Sequence, residues 1–434
     1  MELQARDSAV MLSDRDHLSS QRDYTMQIRI TVSILLLLIL RPEITSAENW
    51  SRFRGENGTG VSLQTGISVT WDDDAIAWQV DLPGIGHSSP CIWEKALFVT
   101  SATDEGTRRL LLRLNADTGD EVWRRELALE TNHLHRKNSW ASGTPATDGL
   151  RVYVIFADTK THAVAAWDFD GNELWKVDLG TFESQHGQGV SPVVVDGMVI
   201  VPNDQKGPSS IVALDAETGE VRWKSPRPSG STSYVTPMVV DTDNGKALIC
   251  ASQASGVSSL DLATGHTHWE TGPLPERTVA SPVESHGIVL ATCGKGGQGK
   301  YMVFVDLNAR SEKDRIARDR RQRLPYVPTP VIWEGLAFLW GDSGVVSCVE
   351  LPSGENVWTE RVPGNYSASP VCINGHVYCV AEDGVVTVIE ASRSFRLLGR
   401  TPLGDPCYSS PAVANRHLYL RTFHTLFAIQ ANAN

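Results

Sequence analysis

Eight Ser/Thr-Pro pairs, closing on Pro90, Pro145, Pro192, Pro237, Pro282, Pro330, Pro370 and Pro411, divide most of the chain into segments averaging about 46 residues. A period of this length marks a repeat architecture, and eight units so short are parts of one domain rather than eight domains. Each unit holds four short β-branched and apolar runs separated by turn residues, as in "VSPVVVDGMVIVPND … SSIVALDAETGEVRWKSP" over 190–226. Proline donates nothing to a strand ladder, so it suits the first residue of an inner strand. A DG, NG or EG turn then leads to the second strand, and the "LDAETG" segment ends the third. Gly119, Gly171, Gly219, Gly265 and Gly354 open the fourth strand, followed four residues later by Trp123, Trp175, Trp223, Trp269 and Trp358. A large ring at a fixed outer-strand position predicts packing between neighbouring units.

Four-stranded units of this length, repeated radially, make a β-propeller. The expected fold is therefore all-β: a single eight-bladed propeller of four-stranded antiparallel blades. The eighth unit stops without its Gly…Trp strand, while "AIAWQVDL", carrying Trp78, precedes the first unit with no inner strands of its own. The N-terminal strand thus closes the ring. The predicted organisation is 1–47 a signal peptide, 48–76 an N-terminal extension and 77–434 the propeller.

The signal rests on Arg29, the 11-residue apolar run "ITVSILLLLIL" over 30–40, and Thr45-Ser46-Ala47. The run is short for a membrane span and the small residues suit a signal peptidase. Cleavage after Ala47 is expected, with Met26 as the start that leaves residues 1–25 untranslated. An uncleaved anchor is the alternative. The chain is read as periplasmic or secreted, a monomer, and held to a membrane only through an uncleaved signal or a partner. A formal charge of −12 argues against nucleic-acid binding.

The seven Cys form no CxxC pair, and most lie in apolar runs as small core residues. Cys372 and Cys379 flank the Asn374-Gly375 turn, where a hairpin would bring them towards each other. "GKGGQGKY" at 294–301 approaches a phosphate-loop spacing, but a strand follows it rather than a helix, and Tyr301 replaces the Ser/Thr that would hold Mg²⁺. It reads as a hairpin loop.

The unit A-x-D-x-x-T-G-x-x-x-W, seen as "ALDAETGEVRW" and "RLNADTGDEVW", resembles the repeats of pyrroloquinoline quinone (PQQ) propellers. That family includes quinoprotein alcohol dehydrogenases and the non-enzymatic outer-membrane assembly protein of BamB type. The opening "NWSRFRGENGTGVS" resembles the start of secreted PQQ-like propellers common in planctomycete bacteria. "VDLNARSEKDRIARDRRQRLP" in unit five and "IEASRSFRLLGRTPLG" in unit seven lack the Gly and Trp, so those junctions are expected to pack differently. The dehydrogenases, by resemblance, need Ca²⁺ ligands, an Asp base and an adjacent-Cys disulfide. No adjacent Cys pair exists here and the inter-strand loops are short.

The longest connection, "LALETNHLHRKNSWASG", carries His133, His135, Lys137, Asn138 and Trp140. His87, Tyr234, Tyr326, Tyr366 and Tyr408 stand three or four residues before a motif Pro. Together these ten residues are the predicted rim of the channel mouth, suited to a ligand or peptide. His133-x-His135 and His266-x-His268 are read as imidazole pairs on strand faces, the latter at a solvated edge; no metal site is assigned. The mixed-charge run 310–323 is read as a solvated loop or short helix. The predicted function is a non-catalytic binding or assembly scaffold for a protein or small ligand, with no cofactor. The alternative is a periplasmic oxidoreductase using PQQ with Ca²⁺ or a metal.

Overall fold

The computed structural model describes residues 49–432. The predicted signal segment lies outside the described residues. Eight antiparallel sheets follow one another along the chain: 91–128, 146–178, 193–227, 238–270, 283–320, 331–361, 371–402 and 412–430. These are blades one to eight, each entered at its Ser/Thr-Pro. Ile76–Asp81 pairs antiparallel with Thr425–Gln430 and supplies the outer strand of blade eight. Ring closure by the N-terminal strand follows. Blade seven departs from four strands, because Val61–Ser62 adds a parallel fifth beside its inner strand.

The blades lie face to face, so their middle strands are apolar on both sides. Ser209–Asp215 of blade three is buried along its whole length. The apolar clusters accordingly span neighbouring blades: Tyr153 and Ile155 of blade two with Val199 and Val212 of blade three, and Val193 and Ile200 with Leu248 and Leu260 of blade four.

Trp and Gly of the repeat meet across these junctions. Trp78, Trp123, Trp175 and Trp223 donate Nε1–H to the backbone oxygens of Ala116, Phe169, Ala216 and Leu262 on the next blade. Each ring then lies over that blade's turn glycine. A methyl group on Gly219 would meet Trp175 Cδ2 at 2.7 Å, and Gly219 also has φ +76°. Glycine is thus needed twice there, for the backbone and for the ring.

The two irregular junctions use substitutes. In blade five Arg318 holds the register position of the missing Trp, and its Cδ lies 2.6 Å from where a methyl on Gly354 would stand. Arg315 stacks over Trp269 with its guanidinium carbon 4.4 Å from the ring centroid. The run 310–323 is thus a short helix, Glu312–Arg315, followed by an outer strand, Ile316–Arg320, rather than only a solvated insertion. In blade seven Gly399 stands at the Trp position and Val69 and Thr70 fill the space. Trp358 of blade six donates to Ser392 and packs edge-on against Phe395.

The Ser and Thr before each Pro form a second link between blades, near the axis. Ser89 donates its N–H to Thr144 Oγ1, Thr144 to Ser191 Oγ, Thr236 to Ser281 Oγ, Ser281 to Thr329 Oγ1, Thr329 to Ser369 Oγ and Ser369 to Ser410 Oγ, all at 2.8–3.0 Å. A hydroxyl is therefore needed before the Pro, because the inner-strand edge is otherwise unpaired.

All seven Cys are free and buried. Cys372 faces Val377 across the hairpin, so Cys379 is its diagonal neighbour, and both thiols are free rather than joined. "GKGGQGK" joins Ile288–Gly294 to Gly299–Asp306 as the expected hairpin.

Candidate functional site

The segments entering the inner strands surround the axis and enclose a funnel of about 510 Å³. Every blade contributes to its wall: His87 and Ser89 from the approach to blade one, then Asn138, His186, Tyr234, Arg277, Tyr326, Ser367 and Tyr408 in blade order. Its lower end is closed by the N-terminal extension. Trp50 pairs with Ile92 of blade one, and Ser51 accepts the N–H of Thr147 in blade two. Arg52 donates to Pro237 O at 2.7 Å, while Arg54 donates to Pro370 O at 2.6 Å and Pro330 O at 2.7 Å. These guanidiniums supply donors to inner-strand carbonyls that no further strand covers. Between them in sequence, Phe53 lines the funnel.

Of the ten predicted rim residues, seven line the funnel: His87, His135, Lys137, Asn138, Tyr234, Tyr326 and Tyr408. The other three do not. His133 is exposed on the loop. Trp140 turns away, packing against Gly106 beneath the Arg109 guanidinium. Tyr366 is fully buried, edge-on to Trp340 at 5.3 Å, with its hydroxyl donated to Pro363 O. The segment around His133 and His135 is coil rather than strand. His135 instead packs against His186 at 4.7 Å between ring centroids. His266 and His268 stay on the outer edge of blade four, as expected.

Arg136, His186, Arg277 and Phe53 line the funnel but fall outside the predicted set. Arg277 and His186 stand five and six residues before their motif prolines, just beyond the window of three to four. Arg136 lies between two residues that were selected, and a search for positive charge would have found it.

The wall is electrostatically uneven. Towards blade seven, Lys137 is closed onto Glu382 at 2.5 Å, and Ser367 donates to the same carboxylate. Asp342 accepts the N–H groups of Tyr326 and Val327. Burial still raises its pKa to about 6. Towards blades three to five, Arg277 gives Nε–H to Tyr326 Oη at 2.8 Å and no carboxylate among the described residues pairs with it. Desolvation, followed by the charge of Arg277, lowers His186 to about 4. Desolvation, then Arg136, Lys137 and Arg277, lowers His135. On the blade-eight side His87, Tyr408 and Phe423 form an aromatic group with centroids 4.8–5.0 Å apart. Burial, and then Arg421, lowers His87 to about 3.

A family profile described as outer membrane protein assembly factor BamB matches residues 108–319 and 322–397. The chain belongs to this family. BamB of Yersinia pestis is 24% identical over 262 residues, covering 55% of this chain, so the chain spans 62% of that relative's length. A polyvinylalcohol dehydrogenase of a Pseudomonas species is 25% identical over 274 residues, covering 52% of this chain and 41% of that protein. The crystal structure of BamB from Moraxella catarrhalis shares the fold with a TM-score of 0.59 at 15% identity, over 83% of this chain and 98% of that one.

The funnel's donor set does not match the calcium site of the quinoprotein pattern. Ca²⁺ takes roughly six to eight oxygen ligands with carboxylates among them. Among the described residues the funnel lining contains no carboxylate; Glu382 and Asp342, which bond to lining residues from behind, are already engaged, and no group of three or more His, Cys, Asp or Glu among the described residues is placed to hold a metal ion.

Proposed function

We propose that this BamB-family propeller is an exported, periplasmic binding scaffold that uses its closed axial funnel to hold part of a protein partner in outer-membrane assembly. The observation that carries the reading is the construction of the funnel. All eight blades supply one wall, Phe53 of the N-terminal extension joins the lining, and that lining combines aromatic rings, hydroxyls and cations. That lining suits recognition of a projecting group. The titratable pair at the wall, Lys137 and Glu382, is a closed ion pair rather than an acid and base facing open space. The family description, and the name of relatives such as the Yersinia pestis assembly factor, agree with an assembly role.

The test is photo-crosslinking from an unnatural residue at position 138 or 408 in the intact cell envelope. Adducts with a discrete outer-membrane assembly protein, absent when the probe sits on the outer edge at position 266, are expected. PQQ titrated calorimetrically with Ca²⁺ into residues 48–434, saturating together with dye-linked alcohol oxidation, would overturn the scaffold reading in favour of a dehydrogenase.

A further inference from the structure

We infer that the wall between blades three and five is a carboxylate-binding site in which Arg277 grips the anion while His186 and Tyr234 pack against the apolar body behind it. This rests on the funnel being the binding surface.

The argument begins with unequal charge pairing. The chain carries 51 acidic residues against 39 Lys and Arg, so an unpaired cation at a concave site stands out. Lys137 across the funnel has its carboxylate. Among the described residues Arg277 has none, although it is half-buried. Its backbone is held by the bridge to Gly294 and its Nε by the buried Tyr326 hydroxyl. Those two restraints hold the guanidinium at the funnel wall at little further entropic cost. A planar fork of this kind matches a carboxylate with two parallel hydrogen bonds. Arg136, exposed on the blade-two approach and also without a carboxylate partner among the described residues, lines the same cavity.

The surrounding rings show the same imbalance. His186 stacks on Tyr234 at 6.5 Å and meets His135 at 4.7 Å. The charged groups acting on His186 are Arg277, His135 and His133, all cationic or potentially so. An anion at Arg277 would reverse that field and favour imidazolium. The ligand is thus a carboxylate on a flat or apolar body. Its source is either an acidic side chain or terminus of a polypeptide, or a free organic acid.

The experiment titrates benzoate, benzamide and a short Glu-rich peptide with blocked termini into residues 48–434 by calorimetry. Benzoate is expected to bind and its neutral isostere benzamide not to. Arg277→Met should weaken benzoate about tenfold or more, the worth of a bidentate charged pair, with the far-ultraviolet spectrum and melting temperature unchanged. At pH 5.5, titrations in two buffers of different ionisation enthalpy should show proton uptake that His186→Gln removes. Tighter binding of the peptide assigns the site to a polypeptide; benzoate alone assigns it to a free acid. Equal binding of benzoate and benzamide, no loss in Arg277→Met, or no heat at about 10 mM probe, where a ~1 mM site is nearly saturated, overturns the proposal. Funnel crosslinks that survive Arg277→Met would leave the scaffold reading standing while this one falls. Carboxylate binding without any crosslinked partner would do the reverse.

Discussion

Replacing Gly219 by Ala tests whether the repeat's glycine and tryptophan act as one unit across a blade junction. Two effects combine at this position. The backbone has φ +76°, where a Cβ costs roughly 1–2 kcal/mol, partly offset by a less flexible unfolded chain, at about 0.4–1 kcal/mol. The new methyl would also stand 2.7 Å from Trp175 Cδ2, and forced overpacking costs about 1–3 kcal/mol. The expected loss is about 3 kcal/mol. Gly197 provides the control, since its φ is +72° but nothing lies within 4 Å of the added methyl. Gly197→Ala should therefore cost only about 1 kcal/mol. Urea unfolding of residues 48–434, followed by tryptophan fluorescence and circular dichroism, measures both. In a Trp175→Ala background the Gly219→Ala penalty should shrink to that of Gly197→Ala, giving a coupling energy near 2 kcal/mol. Equal losses at the two glycines in the wild-type background, or no coupling to Trp175, would refute the docking argument.

Two further outcomes follow from buried groups. His162 is fully buried against Phe182, and burial lowers its pKa from 6.5 to about 4. Between those values the unfolded chain holds the extra proton, so stability falls with acidification from pH 6.5 towards 4 by up to about 3 kcal/mol. His162→Leu should flatten that part of the stability profile, and an unchanged slope in denaturant titrations would count against it. Arg54→Met strips donors from the inner-strand carbonyls Thr329 O, Pro330 O and Pro370 O, at about 1–3 kcal/mol each. Removing a buried charge, whose pKa burial has already drawn down to about 9, offsets part of this. The net loss should be about 3 kcal/mol by urea unfolding, and a stabilised variant would show that the extension is dispensable to the ring.

The propeller was legible because its determinants are local and repeated. Period, turn glycines, Ser/Thr-Pro and outer-strand Trp each depend on a few neighbouring residues, and eight copies average out the irregular ones. Even ring closure was visible, since a missing strand at one end matched a spare one at the other. The site was legible only in part. Tyr326 and Tyr366 both stand four residues before their prolines, yet Tyr326 faces the funnel and Tyr366 turns under Trp340. The choice depends on whether the adjoining blade leaves room for a ring, and spacing along one segment carries no such information. The role of 48–76 was hidden for a related reason. Arg52 and Arg54 find their inner-strand acceptors 185 to 316 residues away, on blades that converge only once the ring has closed. Local sequence therefore determined the strands, the blades and their number. The floor of the funnel, its uncompensated arginines and the direction of each rim side chain were decided by closure, which brings eight distant segments to one axis.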